Sequence, residues 1–489
     1  MTATVHPSSS KGVDRPVRAF ASRTPKWQRF QADMIQPTSD TGAASVESKE
    51  KELYTYQRQY SHVYSHRLLA LKDRCWKQLQ NETNDDSDES GIVTVNRILE
   101  LQESQLSRVV GTLVKETSDP KEEPWHSQST CRPSDELYLE DESGRVLLNL
   151  DKSKGKGNDR RQVYQYCTGV VVGIEGTVDD RGVLHVDRIV PPALPPASTA
   201  QASAVVEPSQ PSGHDPHLLL VSSLLCGDPQ VSSLPREMLV GYLQGQFTDA
   251  AAKVARIIVA GSGPGANMDG LKEFDMWAGL QVTGPSGSLE IPMDILPSAK
   301  DPTTRNWPQR PLHSSLLPHC SKNNNKVTVT PNPYEARHAT QLVLGTDGLS
   351  VRDLQQVILK PSSENKASAE DTDGSTPQRL TELEALEQTL RWGHLCPTGP
   401  DRVGMIPLDD PMVIDKAMPH IYFCGNCEEG FATKLIDGEG EGEKTRLICI
   451  PKFSDTGEVV LVNLKTLDVE VLRFKVDDDD ESQEQQQQD

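Results

Sequence analysis

His217-Leu-Leu-Leu-Val-Ser-Ser-Leu-Leu225 is the stretch on which the reading of the fold turns. An apolar run of strand length stops abruptly at Ser222-Ser223. Comparable runs recur downstream. Ala255–Ala260 ends in Gly261-Ser262, and Leu289–Ile295 leads to Pro297-Ser-Ala-Lys-Asp301. Gln341–Leu344 is another, and His420–Cys424 ends in Gly425-Asn426-Cys427-Glu428. Connections of helix length separate several of these runs, which predicts an α/β unit. Three more strands are expected within Leu447–Phe474, with turns at Ser454–Gly457 and Lys465–Thr466.

Upstream the pattern differs. Leu53, Tyr56, Tyr60, Val63, Tyr64, Leu68 and Leu71 recur at three- and four-residue spacing, so a helix is expected from Ser48 to about Gln80. The acidic, polar stretch Asn81–Glu89 ends it. Five short β-rich runs follow: Arg108–Val114, Glu136–Glu140, Gly144–Leu150, Cys167–Glu175 and Gly182–Val190. Asp-Asp-Arg-Gly makes a turn between the last two. Five strands in this space fit a small closed barrel, for which the OB fold is the commonest choice. The basic stretch Lys152–Arg161 would be one of its loops.

Composition narrows the function classes. Lys and Arg number 50 against 71 Asp and Glu, a formal charge of −21. Gripping a phosphate backbone over a broad face needs clustered positive charge, which this balance disfavours. Aromatic residues make up only 5%, against a surface built mainly for stacking bases. No apolar run approaches the roughly 18 residues of a membrane-spanning helix. No apolar leader region opens the chain, so secretion is not expected. The nine scattered cysteines read as reduced thiols of an intracellular protein.

The order of the strand-end turns resembles the calcineurin-like metallophosphoesterases. In active members these turns carry D-x-H, G-D, G-N-H-D/E and G-H-x-H, and hold two metal ions that clamp a phosphate ester and a water. Here Ser223 and Leu225 stand for the first Asp and His. Ser262 replaces the second Asp. Ala299 and Lys300 replace the Asn and His of the third turn, although Asp301 remains. Asn426 and Glu428 replace the two His of the last, and His394 is a candidate relic of the remaining one. Leu225 has no ligand atom and Lys300 brings a cation, so two ions are not expected to be held. No catalytic or metal-ligating residue is therefore assigned, and no cofactor.

Other motifs have plainer readings. Asp215-Pro-His217 spells D-x-H but precedes the first strand, at the wrong end of the sheet. Cys424-x-x-Cys427 lacks a second ligand pair: Cys396, Cys449, His394 and His420 are the nearest candidates and none is paired, so structural thiols are expected. His62 and His66 share a helix face without the accompanying Glu of a metalloprotease motif, which favours an exposed helix face. Pro264 spoils Gly261-Ser-Gly-Pro-Gly as a phosphate cradle. In the barrel region, Trp125, Tyr138, Tyr164 and Tyr166 offer aromatic faces. Tyr164 and Tyr166, at i and i+2, would share one, and with Lys154, Lys156, Arg160 and Arg161 they are weak candidates for binding single strands. A barrel-core or protein-contact role is the plainer reading for them.

An OB fold followed by a metal-stripped phosphoesterase unit resembles the B-subunits of replicative DNA polymerases, the delta branch above all. The matching strings are Tyr60-Ser-His-Val-Tyr-Ser-His-Arg-Leu, Val110-Gly-Thr-Leu, Asp135-Glu-Leu-Tyr-Leu-Glu-Asp-Glu, Arg256-Ile-Ile-Val-Ala-Gly, Pro311-Leu-His, Asn332-Pro-Tyr and Pro419-His-Ile-Tyr-Phe-Cys-Gly-Asn. They cover about 50 to 475; Pro297-Ser298, where the family has Pro-Gly, and the insertion depart from it. The resemblance implies an α+β multidomain chain with a helical N-terminal segment, an OB-fold β-barrel and a calcineurin-like phosphoesterase α/β sandwich. Its expected boundaries are a disordered tail at 1–45, the helical segment at 46–82 and the OB fold at 90–195. A linker at 196–215, in the Pro/Ala/Ser-rich stretch Pro191–Pro216, leads to the phosphoesterase-like unit at 216–476. A disordered insertion at 361–377 and an acidic, Gln-rich tail at 477–489 complete the chain. The basic N-terminal tail is open to three readings: a transit peptide, a weak nuclear signal or a solvated tail. The resemblance further implies a non-catalytic scaffold in the nucleus, acting in DNA replication and repair. It would bridge the C-terminal metal-binding domain of the polymerase catalytic subunit to a third, accessory subunit through the OB domain, touching DNA indirectly or weakly. An active metallophosphoesterase or nuclease, and a free single-strand-binding OB protein, are the alternatives.

Overall fold

In the computed structural model the described residues are 59–81, 91–116, 135–150, 162–196 and 215–474, less 248, 283–290, 323–325, 339, 361–377, 408–409, 439 and 441–442. The expected tails, the insertion, most of the linker, the basic loop with Lys154, Lys156, Arg160 and Arg161, and Trp125 lie outside them. So does the first part of the expected N-terminal helix.

Helix α1 (Tyr60–Asn81) buries Val63, Arg67, Leu68, Leu71, Cys75 and Leu79 along one stripe. Tyr60, expected on that stripe, is about half exposed. The barrel follows with β1 (Val93–Thr94), β2 (Leu106–Glu116), β3 (Glu136–Glu140), β4 (Arg145–Asn149), β5 (Val171–Val178) and β6 (Val183–Val190). The order is β1-β2-β3-β4-β6-β5, and β2 also pairs with β5, which closes the barrel. Alternation along each strand sends Leu137, Leu139, Val172, Ile174, Leu184 and Val186 into one core. The strand expected from Cys167 starts only at Val171, because Gly169 at φ 93° turns the chain first. The expected turn between β5 and β6 is fixed by Asp179, whose Oδ1 accepts the Arg181 and Val183 N–H groups.

The second unit has two sheets. Its strands are β7 (His217–Val221), β8 (Val254–Ala260), β9 (Met293–Leu296), β10 (Val327–Val329), β11 (Tyr334–His338) and β12 (Gln341–Thr346). A short pair, β13 (Leu359–Lys360) and β14 (Gln378–Arg379), is followed by β15 (Ile421–Cys427), β16 (Ala432–Asp437), β17 (Lys444–Pro451), β18 (Glu458–Asn463) and β19 (Val469–Arg473). One sheet runs β10-β9-β8-β7-β18-β19 and the other β11-β12-β15-β17-β16. β10, β11 and β16 lie outside the runs expected from sequence. The sheets share a core in which Leu218, Leu220 and Ile258 of one meet Val343, Phe423 and Ile448 of the other. The alternate residues Leu219, Val221 and Ile257 face outward into a separate core. Helices α2 (Leu234–Leu243) and α3 (Met268–Met276) contribute Leu239, Tyr242 and Phe274 to that outer core. Helix α4 (Pro318–Lys322) packs with them. On the far side, α5 (Leu349–Val357) and α6 (Glu382–Arg391) cover the second sheet. A last turn of helix, α7 (Phe453–Thr456), precedes β18. Burial on both faces explains why these strands read as continuous apolar runs.

The barrel core and the outer core of the second sheet are one continuous apolar cluster, from Val63 and Val109 to Leu354, Leu390 and Tyr422. The start of the expected linker belongs to this junction. The Ala193 N–H donates to Arg74 O, and the Met418 N–H donates to Pro196 O. The polar centre of the junction is Arg67. Its Nε donates to Asp410 (2.8 Å), Nη1 to the carbonyls of Gly169 (2.9 Å) and Pro397 (3.1 Å), and Nη2 to that of Gly399 (2.8 Å). A Cβ at Gly169 would lie 2.4 Å from Pro397 O and 2.5 Å from Arg67 Nη1, so only glycine fits. His394 Nε2 also meets Asp410 at 2.8 Å, while its Nδ1 accepts the Cys396 N–H. Burial and the Arg67 charge push His394 down, which keeps the ring neutral. Burial raises the Asp410 carboxyl, but the hydrogen bonds from His394 and Arg67 and the Arg67 charge outweigh it and hold it well below the usual carboxylate range.

Arg67→Ala leaves Asp410 as an uncompensated buried charge. It is expected to lower the unfolding free energy by about 3–5 kcal/mol, read from urea denaturation of the full chain. Arg67→Ala with Asp410→Ala is expected to cost less than the sum of the two single losses. A depressed carboxyl contributes stability above its unfolded pKa and loses it in acid, so the Arg67→Ala deficit should shrink as pH falls below about 4.

Candidate functional site at the strand ends

β7, β8, β9 and β10 run parallel, as do β12, β15 and β17, so their carboxyl ends gather at one edge of the two sheets. There the backbone takes conformations that side chains rarely adopt. Ser223 (φ 51°), Leu225 (45°), Ser262 (53°) and Asn426 (53°) all lie in the left-handed region. These are four of the six non-glycine residues with positive φ among those described. Each such residue costs of order 1–2 kcal/mol, so their clustering marks a built site. The turns zip together: Ser223 N–H donates to Gly261 O (3.1 Å) and Leu225 N–H to Ser262 O (3.2 Å).

At three of the expected ligand positions the side chains are hydrogen-bonded to one another or to Ser298. Ser223 Oγ donates to Asn426 Oδ1 at 2.6 Å, and Asn426 Nδ2 donates to Asp347 O at 2.9 Å. Ser262 Oγ lies 2.9 Å from Ser298 Oγ. The space is filled: a Cβ at Gly261 would lie 2.9–3.1 Å from Asn426 Nδ2, Ser298 Cβ and Asp347 Cβ. The other positions sit at the rim. Leu225 is half-buried, Ala299 and Lys300 are exposed, and Glu428 is exposed and paired with Lys452 at 2.8 Å. His394, the candidate relic, is bonded to Asp410 and the Cys396 N–H instead.

Two carboxylates enter the network. Asp301 Oδ2 accepts the N–H groups of Ser298 (2.6 Å) and Ser262 (3.1 Å). Burial lifts the Asp301 carboxyl to about 6 despite those donors. Asp347, fully buried, accepts from Asn332 Nδ2 (2.9 Å), and Asn332 also donates to Gln309 Oε1 (2.6 Å). Sequence reasoning missed Asp347, Asn332, Gln309 and Ser298 as members of the site. The signal for Asp347 was available: Thr346-Asp-Gly is one more strand-end turn, after β12. Among the described residues the one group of three His, Cys, Asp or Glu ligand atoms is Cys424, Cys427 and Cys449, and none of the three stands at an expected ligand position. What the arrangement offers is a hydrogen-bonded lock between the loops that meet there.

The remaining candidates are scattered. Val163–Gln165 is a turn of 3₁₀ helix, so Tyr164 and Tyr166 do not share a strand face. Tyr166 is buried in the barrel core and leaves no open ring for a base, whereas Tyr164 is half-buried. Tyr138 lies under the Arg145 guanidinium, 4.8 Å from its ring centre, with its hydroxyl donating to Glu136. His62 is exposed and His66 half-buried on α1. Asp215 and His217 sit at the start of β7, away from the carboxyl ends, and bond to each other through Asp215 O. The cysteine expectation needs correction. Register across β15 and β17 sets Cys449 beside Cys424, so Cys424-x-x-Cys427 does have a nearby third thiol. Hydrogen bonds from Cys424 and Cys427 draw the Cys449 thiol down to about 5, against its burial.

Known proteins match the sequence across both units. Residues 59–189 match the family described as DNA polymerase delta subunit OB-fold domain, and residues 219–433 match the B-subunit family of DNA polymerases alpha and epsilon. The DNA polymerase delta subunit 2 of Drosophila melanogaster is 30% identical over 455 residues, covering 87% of this chain and 95% of that one. The DNA polymerase delta small subunit of Arabidopsis thaliana is 29% identical over 87% of this chain and 93% of its own. That of Saccharomyces cerevisiae is 27% identical over 86% and 90%. With a barrel followed by a two-sheet unit in the same order, and identity sustained across both, the chain belongs to the DNA polymerase delta small-subunit family.

Proposed function

We propose that this chain works as the non-catalytic small subunit of a DNA polymerase delta assembly in replication, with a nuclear site of action. The observation that carries the reading is the 30% identity to a delta subunit over 95% of that relative's length. Within the assembly, the reading has the chain bridge the catalytic subunit's C-terminal domain to an accessory subunit that docks on the barrel. It divides the chain at the boundaries expected from sequence, with the two-sheet unit as a phosphoesterase-like sandwich without hydrolytic activity. Three features support inactivity. Ser223, Ser262 and Asn426 replace acidic or imidazole ligands, their side chains bond to one another or to Ser298, and Asn426, Ser298 and Asp347 close tightly around Gly261. The net charge of −21 suits a basic protein partner better than a phosphate backbone.

Affinity purification of the tagged chain from its own nuclei is expected to recover a family-B polymerase catalytic chain in near-equal amount. Recovery of the chain alone would overturn the assembly reading. A phosphodiester substrate with added Mn²⁺ is expected to show no turnover above a buffer blank. If the strand-end network only holds structure, Asp301 has a purely thermodynamic signature. Its raised carboxyl contributes stability below the unfolded pKa and loses it as pH rises through about 6. Asp301→Asn is therefore expected to abolish that fall in stability between about pH 4 and 6, in urea midpoints, while leaving partner recovery intact.

A further inference from the structure

The second sheet carries a cluster of side chains that the strand-end network does not use. Cys424 and Cys449 are direct neighbours on the parallel pair β15 and β17, with sulfurs 3.7 Å apart. Between Cys424 and Cys427 the ladder bulges, with Asn426 at φ 53°. The bulge folds Cys427 back so that its sulfur lies 3.4 Å from that of Cys424. All three sulfurs fall within 4.8 Å of one another, and all three residues are buried. Among the described residues this is the one place where three soft ligand atoms converge.

The spacing suits a shared ion. Zinc–sulfur bonds of about 2.3 Å in a tetrahedron place sulfurs roughly 3.8 Å apart, close to two of the separations seen here. The buried Glu382, first residue of α6, stands beside the cluster. Its carboxylate accepts the N–H groups of Glu428 and Glu429, and its charge acts on Cys427 and Cys449. The turn Gly425-Asn426 separates this cluster from the strand-end pocket, since Asn426 points its amide to Ser223 and Asp347.

We propose that Cys424, Cys427 and Cys449 form a structural site for a thiophilic divalent ion, Zn²⁺, as three thiolate donors. Each thiol that ligates forms a sulfur–zinc bond and releases its proton to solvent, with no change of oxidation state, so binding strengthens as pH rises. The ion would tie β15 and β17 together at the bulge. This assignment does not depend on the polymerase reading.

The test uses the full chain expressed by itself and purified in reductant without chelator. About one zinc per chain is expected by elemental mass spectrometry, and replacement by Co²⁺ should give the intense thiolate charge-transfer and d–d bands of a tetrahedral site. Cys427→Ser and Cys449→Ser are each expected to lose the metal and the bands. Cys75→Ala, in α1, should retain both. A wild-type chain that takes up no zinc and shows no cobalt–thiolate band overturns the proposal whatever the variants do. So does a Cys424–Cys427 disulfide found by peptide mapping in zinc-loaded protein.

Discussion

One guanidinium holds three parts of this protein in register. Arg67 leaves α1 in the middle of an otherwise apolar stripe and donates to a carboxylate and three carbonyls from the barrel and the two-sheet unit. Desolvating a cation is costly, and only a partner set this complete offsets it. The planar fork of arginine suits carbonyls arriving from different directions, which the compact ammonium of lysine could not match. The requirement propagates outward. Gly169 must lack a side chain to let Arg67 in, Asp410 must stay ionised, and His394 must stay neutral with its Nε2–H toward Asp410. A residue that resembles a stray metal ligand thus serves the junction between units.

The strand-end edge shows the same separation between geometry and chemistry. Left-handed backbone at Ser223, Leu225, Ser262 and Asn426 aims several turns at one point, where the Ser223 and Asn426 side chains bond to each other. A fold can keep the architecture of a site while its side chains take up another task. Here the visible task is locking: Asp347 and Asn332 join β11, β12 and the loop before Gln309, and Ser222 Oγ reaches Pro451 O at the end of β17. Both sheets are thereby fastened at this edge.

Much of this was legible in the sequence because the strands are buried on one or both faces. Apolar runs such as Leu218–Val221 and the alternation of Glu136–Glu140 depend only on period and burial, which are local properties. Barrel closure was legible only as a strand count. What could not be read were pairings between distant residues. Arg67 looks like an ordinary helix-surface charge until Asp410, 343 residues away, is placed beside it. Cys449 lies 25 residues from Cys424 and becomes its neighbour only through parallel register. Tyr164 and Tyr166 do not share a face for a local reason: Val163–Gln165 is a turn of 3₁₀ helix, so the alternation assumed at i and i+2 does not apply.

The junction also bears on what a bridging subunit requires. Interfaces between domains of one chain are ordinarily polar enough to permit relative motion. Here barrel, α1 and second sheet share one apolar core, and the polar groups at its centre are a fully bonded arginine and its partners. A continuous core resists shear because packed side chains have few alternative arrangements. Docking surfaces on the barrel and on the two-sheet unit would then keep a fixed separation and orientation, so a protein bound to one is presented rigidly to a protein bound to the other. Loosening Arg67 would act on that presentation before it altered either surface, which separates the mechanical role of the junction from the chemistry of recognition.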